Sequence, residues 1–498
     1  MSCSENLYEK LIRYSKSQAY PFHMPGHKRQ MMFMDNPYRF DLTEIEGFDN
    51  LHGAEDLLKR EQERAARLYG SEESHFMVNG STGGILSAIA GVVHRGDRVL
   101  VARNCHTSVY HGLELNGLRP VYMWPELDER LGIYQGLTRK TVETALEKYS
   151  DIRAVIFTSP TYEGILSDVK GICEAAHLRG IPCIVDEAHG AHLRWIGISD
   201  AVSCGADVAI QSLHKTLPAL TQTALIHMNG ALVDRERICK MLAAYQTSSP
   251  SYVLMASISQ CMTWLEQEGA EKFEAYKQQT LKLRERLENM KHLYLYKPET
   301  IFDWGKLVLC VGNRGGGDNI SLVSGVHMTG RELYDRLRID FGLQMEMMST
   351  HYALAMTTVG DSPEGFQRLA EALETIDADL ECRMGAVEVI GVGPGCSADT
   401  IGAAGVGAGC FTEAPERRME IDAAVELPTE EVPLSQAARR VMGDYLYLYP
   451  PGIPMLVPGE VIRMEHIEQI QNYLNQGLEV HGGYLKEKGN VKVILHHG

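Results

Sequence analysis

Between Glu55 and Gly70 the chain reads EDLLKREQERAARLYG, with Leu57, Leu58, Ala65 and Leu68 near helical spacing, so a helix is predicted that stops at Gly70. Short apolar runs then alternate with helical stretches. The runs HFMVNG, RVLVAR, RPVYMW, AVIFTSP, PCIVDEAHG and DVAIQSLHK predict strands, and STGGILSAIAGVV and DVKGICEAAHLRG predict helices between them. Strands that are apolar without a break are buried on both faces, which implies a mostly parallel sheet covered by helices. Ahead of this, Pro21, Pro25 and Gly26 in YPFHMPGHKR exclude a regular helix and predict an extended arm over residues 1–45. The α/β unit then occupies 46–290 and closes with the long helical stretch SISQCMTWLEQEGAEKFEAYKQQTLKLRERLENM. A smaller α+β region over 291–498 contains KLVLCVG, GRELYDRLRIDFG and PEGFQRLAEALETI, together with a glycine-rich, almost uncharged segment at 385–410. Gly391, Gly393 and Gly395 of that segment suggest a dinucleotide turn, but the third glycine falls on Cys396 and Pro394 interrupts the helix start.

In sheets of this kind ligands bind beyond the carboxyl ends of the strands. Polar clusters fall at those ends. They are Ser81-Thr82, Asn104 to His106, Thr158 to Tyr162, Asp186 to His192, and Ser212 to Lys215. Lys215 stands in the nearly uncharged run AIQSLHKTLPALTQTALIH. A lysine there either snorkels to water or, held partly dry, becomes a nucleophilic amine. A phosphate-bearing aldehyde cofactor such as pyridoxal 5'-phosphate needs a lysine, an acid at its ring nitrogen, a flat group over the ring and a helix N-terminus for its phosphate. The NGSTGG turn, His106, Asp186 and Lys215 supply these, in that order along the chain, with Ser212 and His214 beside the lysine to complete a phosphate cup.

Composition narrows the partners. The chain of 498 residues carries a net charge of -17, which leaves no basic excess for nucleic acid and agrees with a cationic substrate. Eleven cysteines without a CxxC pair suit reduced thiols, and no apolar run reaches membrane length, so a cytoplasmic protein is expected.

The motifs PFHMPGHK, LHGAEDLL, VNGSTGG, RNCHTS, SPTYEG, VDEAHGAH, SLHKTLPALTQ and YPPGIPMLVPGE span nearly the whole chain. With them the sequence resembles the bacterial ornithine/lysine/arginine decarboxylases, in their short form without a receiver-like N-terminal domain. The resemblance implies a pyridoxal-phosphate-dependent, fold type I large domain with a smaller α+β C-terminal domain. It implies Lys215 as the Schiff-base lysine, Asp186 as the ring-nitrogen partner, His106 as the stacking residue, and Ser81, Thr82, Ser212 and His214 as phosphate contacts. Ala188 is then expected under the ring with His189 nearby, while Lys215 and His214 are both candidates for the proton donor. A carboxy-lyase acting on arginine, with lysine or ornithine as alternatives, is expected to make an amine for polyamine synthesis. Glu460 and Glu163 are expected to receive the substrate's basic side chain. A homodimer or higher homo-oligomer follows from the fold, with the arm carrying His23 and His27 reaching toward the partner. Three other readings stay open. One is an aminotransferase or another lyase of the same fold. Another is a metal hydrolase using Asp186, Glu187, His189 and His192 of DEAHGAH. The third is an inactive homologue with a regulatory role.

Overall fold

The computed structural model describes residues 7–30, 36–312, 328–390, 414–450, 452–483, 485 and 489–495. After α1 (Leu7–Ser15), β1 (Tyr20–Phe22) pairs in parallel with the strand Leu343–Met345 of the same chain. Gly26 donates to the carbonyl of His214, and Lys28 is buried with its ammonium on the carbonyls of His23 and Met356. Tyr20 to Lys28 is thus tied to its own chain.

The helix α2 (Leu57–Tyr69) ends where Gly70 adopts φ +69, a left-handed conformation that suits glycine. The α/β unit follows in chain order as β2 (Glu73–Met77), α3 (Gly80–Val92), β3 (Arg98–Ala102), α4 (Thr107–Leu115) and β4 (Arg119–Met123). A small hairpin of β5 (Leu127–Asp128) and β6 (Ile133–Tyr134) precedes α5 (Arg139–Lys148), β7 (Ile152–Thr158), α6 (Val169–His177) and β8 (Cys183–Asp186). The unit continues with β9 (Val208–Ser212), α7 (Leu213–Thr216) and β10 (Ala224–Met228). Seven strands form one sheet in the order β2-β10-β9-β8-β7-β3-β4. Only β10 runs against its neighbours, so the carboxyl ends of the other six strands share one rim. Glycines bring α3 close to its surroundings. A Cβ on Gly84 would lie 3.0 Å from Ile210 Cγ2 of β9, and one on Gly91 only 2.7 Å from Ile238 Cα of α8 (Arg235–Tyr245).

The long helical stretch divides into α9 (Tyr252–Trp264) and α10 (Ala270–Arg286), joined by a single π turn at Leu265–Gly269. A second, antiparallel sheet has the order β11-β12-β15-β14. Its strands are β11 (Leu293–Leu295), β12 (Lys306–Val311), β14 (Met347–Met348) and β15 (Tyr352–Met356), and α11 (Gly330–Ile339) and β13 (Leu343–Met345) lie between β12 and β14 in the chain. Leu307 and Leu309 of this sheet share a core with Phe273 of α10 and Tyr69 of α2, which fixes β12 against the first unit. In the glycine-rich segment, residues 385–390 complete α12 (Pro363–Ile390), while 391–410 lie outside the described residues. The C-terminal strands form two further small sheets, around a core that includes Leu446, Leu456, Ile470 and Tyr473.

Candidate active site

A cavity of about 530 Å³ opens at the rim where the parallel strands end. Its wall includes Ser81, Thr82, His106, Glu163, Asp186, Ala188, His189, His214 and Lys215, so most of the residues singled out in the sequence come together. The carboxylate of Asp186, at the end of β8, accepts from the Ala188 N–H at 3.1 Å. Burial raises its pKa, opposed by Lys215 and by that hydrogen bond. Lys215 lies in α7 at the end of β9, where burial lowers the pKa of its ammonium. Its Nζ is 3.1 Å from Nε2 of His189.

His106 is the N-cap of α4. The N–H of Ser108 donates to its Nδ1 at 3.2 Å, and burial, followed by the charge of Lys215, pushes its pKa down to about 4. The ring is therefore neutral at ordinary pH. Gly452 of YPPGIP supports it from behind: with φ +84, a Cβ there would lie 3.1 Å from His106 Nε2. His214 is held by the Thr223 carbonyl at 3.0 Å, and burial lowers its pKa to about 4.

Ser81 and Thr82 occupy the first turn of α3, whose N-cap residue Asn79 makes no side-chain capping bond. Ser212 is fully buried just before α7 and does not line the cavity, and its Oγ has no hydrogen-bond partner. Asn104, on the cavity wall, likewise has an unpartnered buried Oδ1. A helix start without a side-chain cap, with the Ser81 and Thr82 of its first turn on the cavity wall, is a suitable setting for a phosphate group, so these residues fit the expected cofactor.

Of the two expected substrate carboxylates, Glu163 is on the wall, where it accepts from Tyr352 OH at 2.9 Å. Glu460 is not. It is buried against Arg103, with Oε2 3.2 Å from Nη2 and also accepting from the Val457 N–H. Arg103 donates in turn to the carbonyls of Pro454 and Met455. Glu460 therefore anchors the C-terminal region to β3, and its carboxylate is already committed. The metal reading of DEAHGAH fails on geometry. Glu187 bonds Ala201 and Gln211, His192 pairs with Asp303, and these ligand atoms do not gather around one point; the metal-capable clusters among the described residues lie elsewhere.

The structure adds two groups that the motifs did not mark. Glu346, between β13 and β14, lines the cavity and accepts from Tyr162 OH at 2.5 Å and from the Met24 N–H at 2.8 Å. Its sequence signal was a lone carboxylate within the apolar LQMEMM. Lys306, at the start of β12, approaches Nδ1 of His189 at 2.8 Å, and only an unexplained lysine at a strand start marked it.

The architecture is the fold type I, pyridoxal-phosphate-dependent transferase-like class. A solved lysine decarboxylase of Francisella novicida, LdcF, superposes with a TM-score of 0.76 at 18% identity, covering 99% of this chain and 81% of its own. The ureidoglycine-glyoxylate aminotransferase of Bacillus subtilis gives 0.51 at 16% identity, covering 67% of this chain and 89% of its own. Residues 5–314 match the Orn/Lys/Arg decarboxylase major domain and residues 408–485 its C-terminal domain. An arginine decarboxylase of Bacillus subtilis (strain 168) is 31% identical over 501 residues, which cover 96% of this chain and 95% of that relative. The chain belongs to the Orn/Lys/Arg decarboxylase family.

Proposed function

We propose that the protein decarboxylates a basic amino acid, with arginine preferred over lysine and ornithine, using pyridoxal 5'-phosphate held by Lys215. The observation that carries this reading is one cavity joining the dry amine of Lys215, the carboxylate of Asp186 and two further carboxylates, Glu163 and Glu346. When bound, the cofactor supplies an electron sink for the pair left behind as carbon dioxide departs. The chain's own residues do the rest. Asp186 would keep a proton on the ring nitrogen, the neutral imidazole of His106 would stack on the ring, and the α3 N-terminus with Ser81, Thr82 and His214 would hold the phosphate. Glu346 and Glu163 orient the substrate's cationic side chain, and Lys215 or His214 returns a proton to Cα. Among the described residues no arginine lines the cavity, whereas an aminotransferase of this fold would typically present one to the substrate's α-carboxylate.

The curated Bacillus subtilis relative named arginine decarboxylase supports the preference for arginine. The amine so formed would serve polyamine synthesis. No helix among the described residues is long and apolar enough to cross a membrane. A cytoplasmic homodimer or larger homo-oligomer completes the proposal. Incubating the purified protein and pyridoxal phosphate with arginine, lysine and ornithine in turn, and identifying the amine formed, tests the substrate. Agmatine as the dominant product agrees, and cadaverine or putrescine as the dominant product overturns the preference for arginine.

A further inference from the structure

Lys306 and Lys215 approach opposite nitrogens of one imidazole. Lys306 Nζ lies 2.8 Å from Nδ1 of His189, and Lys215 Nζ lies 3.1 Å from Nε2. Burial and the two flanking lysines push the pKa of His189 well below its ordinary value, so the ring is neutral, with one donor and one acceptor. An ammonium can only donate. Two ammonium groups would need two ring acceptors, so one of the lysines is a free amine.

The surroundings decide which. Lys306 lies behind the cavity wall, with its Nζ 5.9 Å from the centroid of the Tyr162 ring, a face that favours a cation. The carboxylate of Asp303, held by His192 at 3.2 Å, also favours the charged form of Lys306. Burial is the largest influence and, with the charges of Lys215 and Lys28, lowers the pKa of Lys306 to about 8 against the opposing carboxylates of Asp303 and Glu346, so the ammonium persists at neutral pH. Lys215 faces Asp186 and Glu346, which favour its charge, and the neutral rings of His106, His189 and His214. Asp186 is the group assigned to the cofactor's ring nitrogen.

We propose that Lys306 is a positioning residue that keeps Lys215 a free amine: its ammonium donates to His189 Nδ1, which fixes the Nε2–H tautomer, and that N–H donates to the Lys215 lone pair. At neutral pH and below, Lys306 thereby supplies both a positive charge and a hydrogen-bond direction. The proposal rests on Lys215 being the cofactor's lysine, but its test needs no cofactor, so the two ideas fail separately.

The full-length protein, freed of cofactor, is treated with trace 1-fluoro-2,4-dinitrobenzene across pH. The reagent bonds only to a neutral amine, with loss of fluoride and a proton, and mass spectrometry reads modification at Lys215. In the unsubstituted protein half-maximal labelling is expected below that of an ordinary lysine, which titrates at about 10.4. Lys306→Met is expected to move the midpoint up by about one pH unit or more, equivalent to about tenfold slower labelling at neutral pH. Lys306→Gln, which keeps a donor without the charge, falls between, and Lys306→Arg stays with the unsubstituted protein. Met and Gln curves that coincide with the unsubstituted curve overturn the proposal. If neither variant folds, nitrogen NMR of the His189 ring in the unsubstituted protein decides: the Nε2–H tautomer sustains the proposal and the Nδ1–H tautomer overturns it.

Discussion

Glu346 reaches the cavity from between two short strands, carrying hydrogen bonds from Tyr162 and Met24 that aim its carboxylate. If it receives the substrate's guanidinium, Glu346→Gln removes a charge-assisted interaction and should raise KM for arginine about 10- to 100-fold with kcat nearly kept. Steady-state kinetics decide, and an unchanged KM removes Glu346 from substrate binding. His106 allows a second prediction at this scale. Its folded-state pKa is about 4 against the ordinary 6.5, so between those values the unfolded chain binds more protons and stability falls as pH drops. His106→Phe lacks that loss. Its melting temperature relative to the unsubstituted protein should therefore rise from pH 7 to pH 5, and a constant difference would contradict the burial of a neutral ring. That Lys215, Asp186 and His106 share one cavity was legible because each ends or follows an apolar strand in a fold that places strand ends together. Glu460 was misread for the opposite reason: its partner Arg103 is 357 positions away, and no local spacing reveals that pairing.

The elements were legible where periodicity carries the information. Six of the seven strands of the main sheet and the helices α2, α3 and α6 lie where apolar runs and helical spacing put them. The direction of β10 was not legible, since an apolar run has the same pattern in either direction and only its pairing with β2 and β9 sets it. Lys306 was hidden similarly, because reaching His189 requires β12 to dock against the first unit. The close packing of α3 yields a prediction. Gly91→Ala drives a methyl into the backbone of Ile238, where a Cβ would be 2.7 Å from Cα, and should cost about 1–3 kcal/mol despite alanine's helix preference. Urea unfolding measures it, and a neutral or stabilising effect would show that α8 gives way freely.

Across the whole molecule, the buried Arg103–Glu460 pair fastens the C-terminal region to the end of β3. Glu460→Ala leaves Arg103 buried without its counter-charge, and a loss of about 3–5 kcal/mol is expected by chemical unfolding. The folded fraction should keep its KM for arginine. A raised KM without lost stability would return Glu460 to the substrate pocket and refute the structural role. The chain's overall reading, as a decarboxylase whose chemistry is centred on Lys215, is tested most directly by release of labelled carbon dioxide from carboxyl-labelled arginine, with pyridoxal phosphate present, by the unsubstituted protein and by Lys215→Ala. Release by the first and its loss in the folded variant is the predicted result. Equal release by both, or none from arginine, lysine or ornithine with the unsubstituted protein, would contradict it.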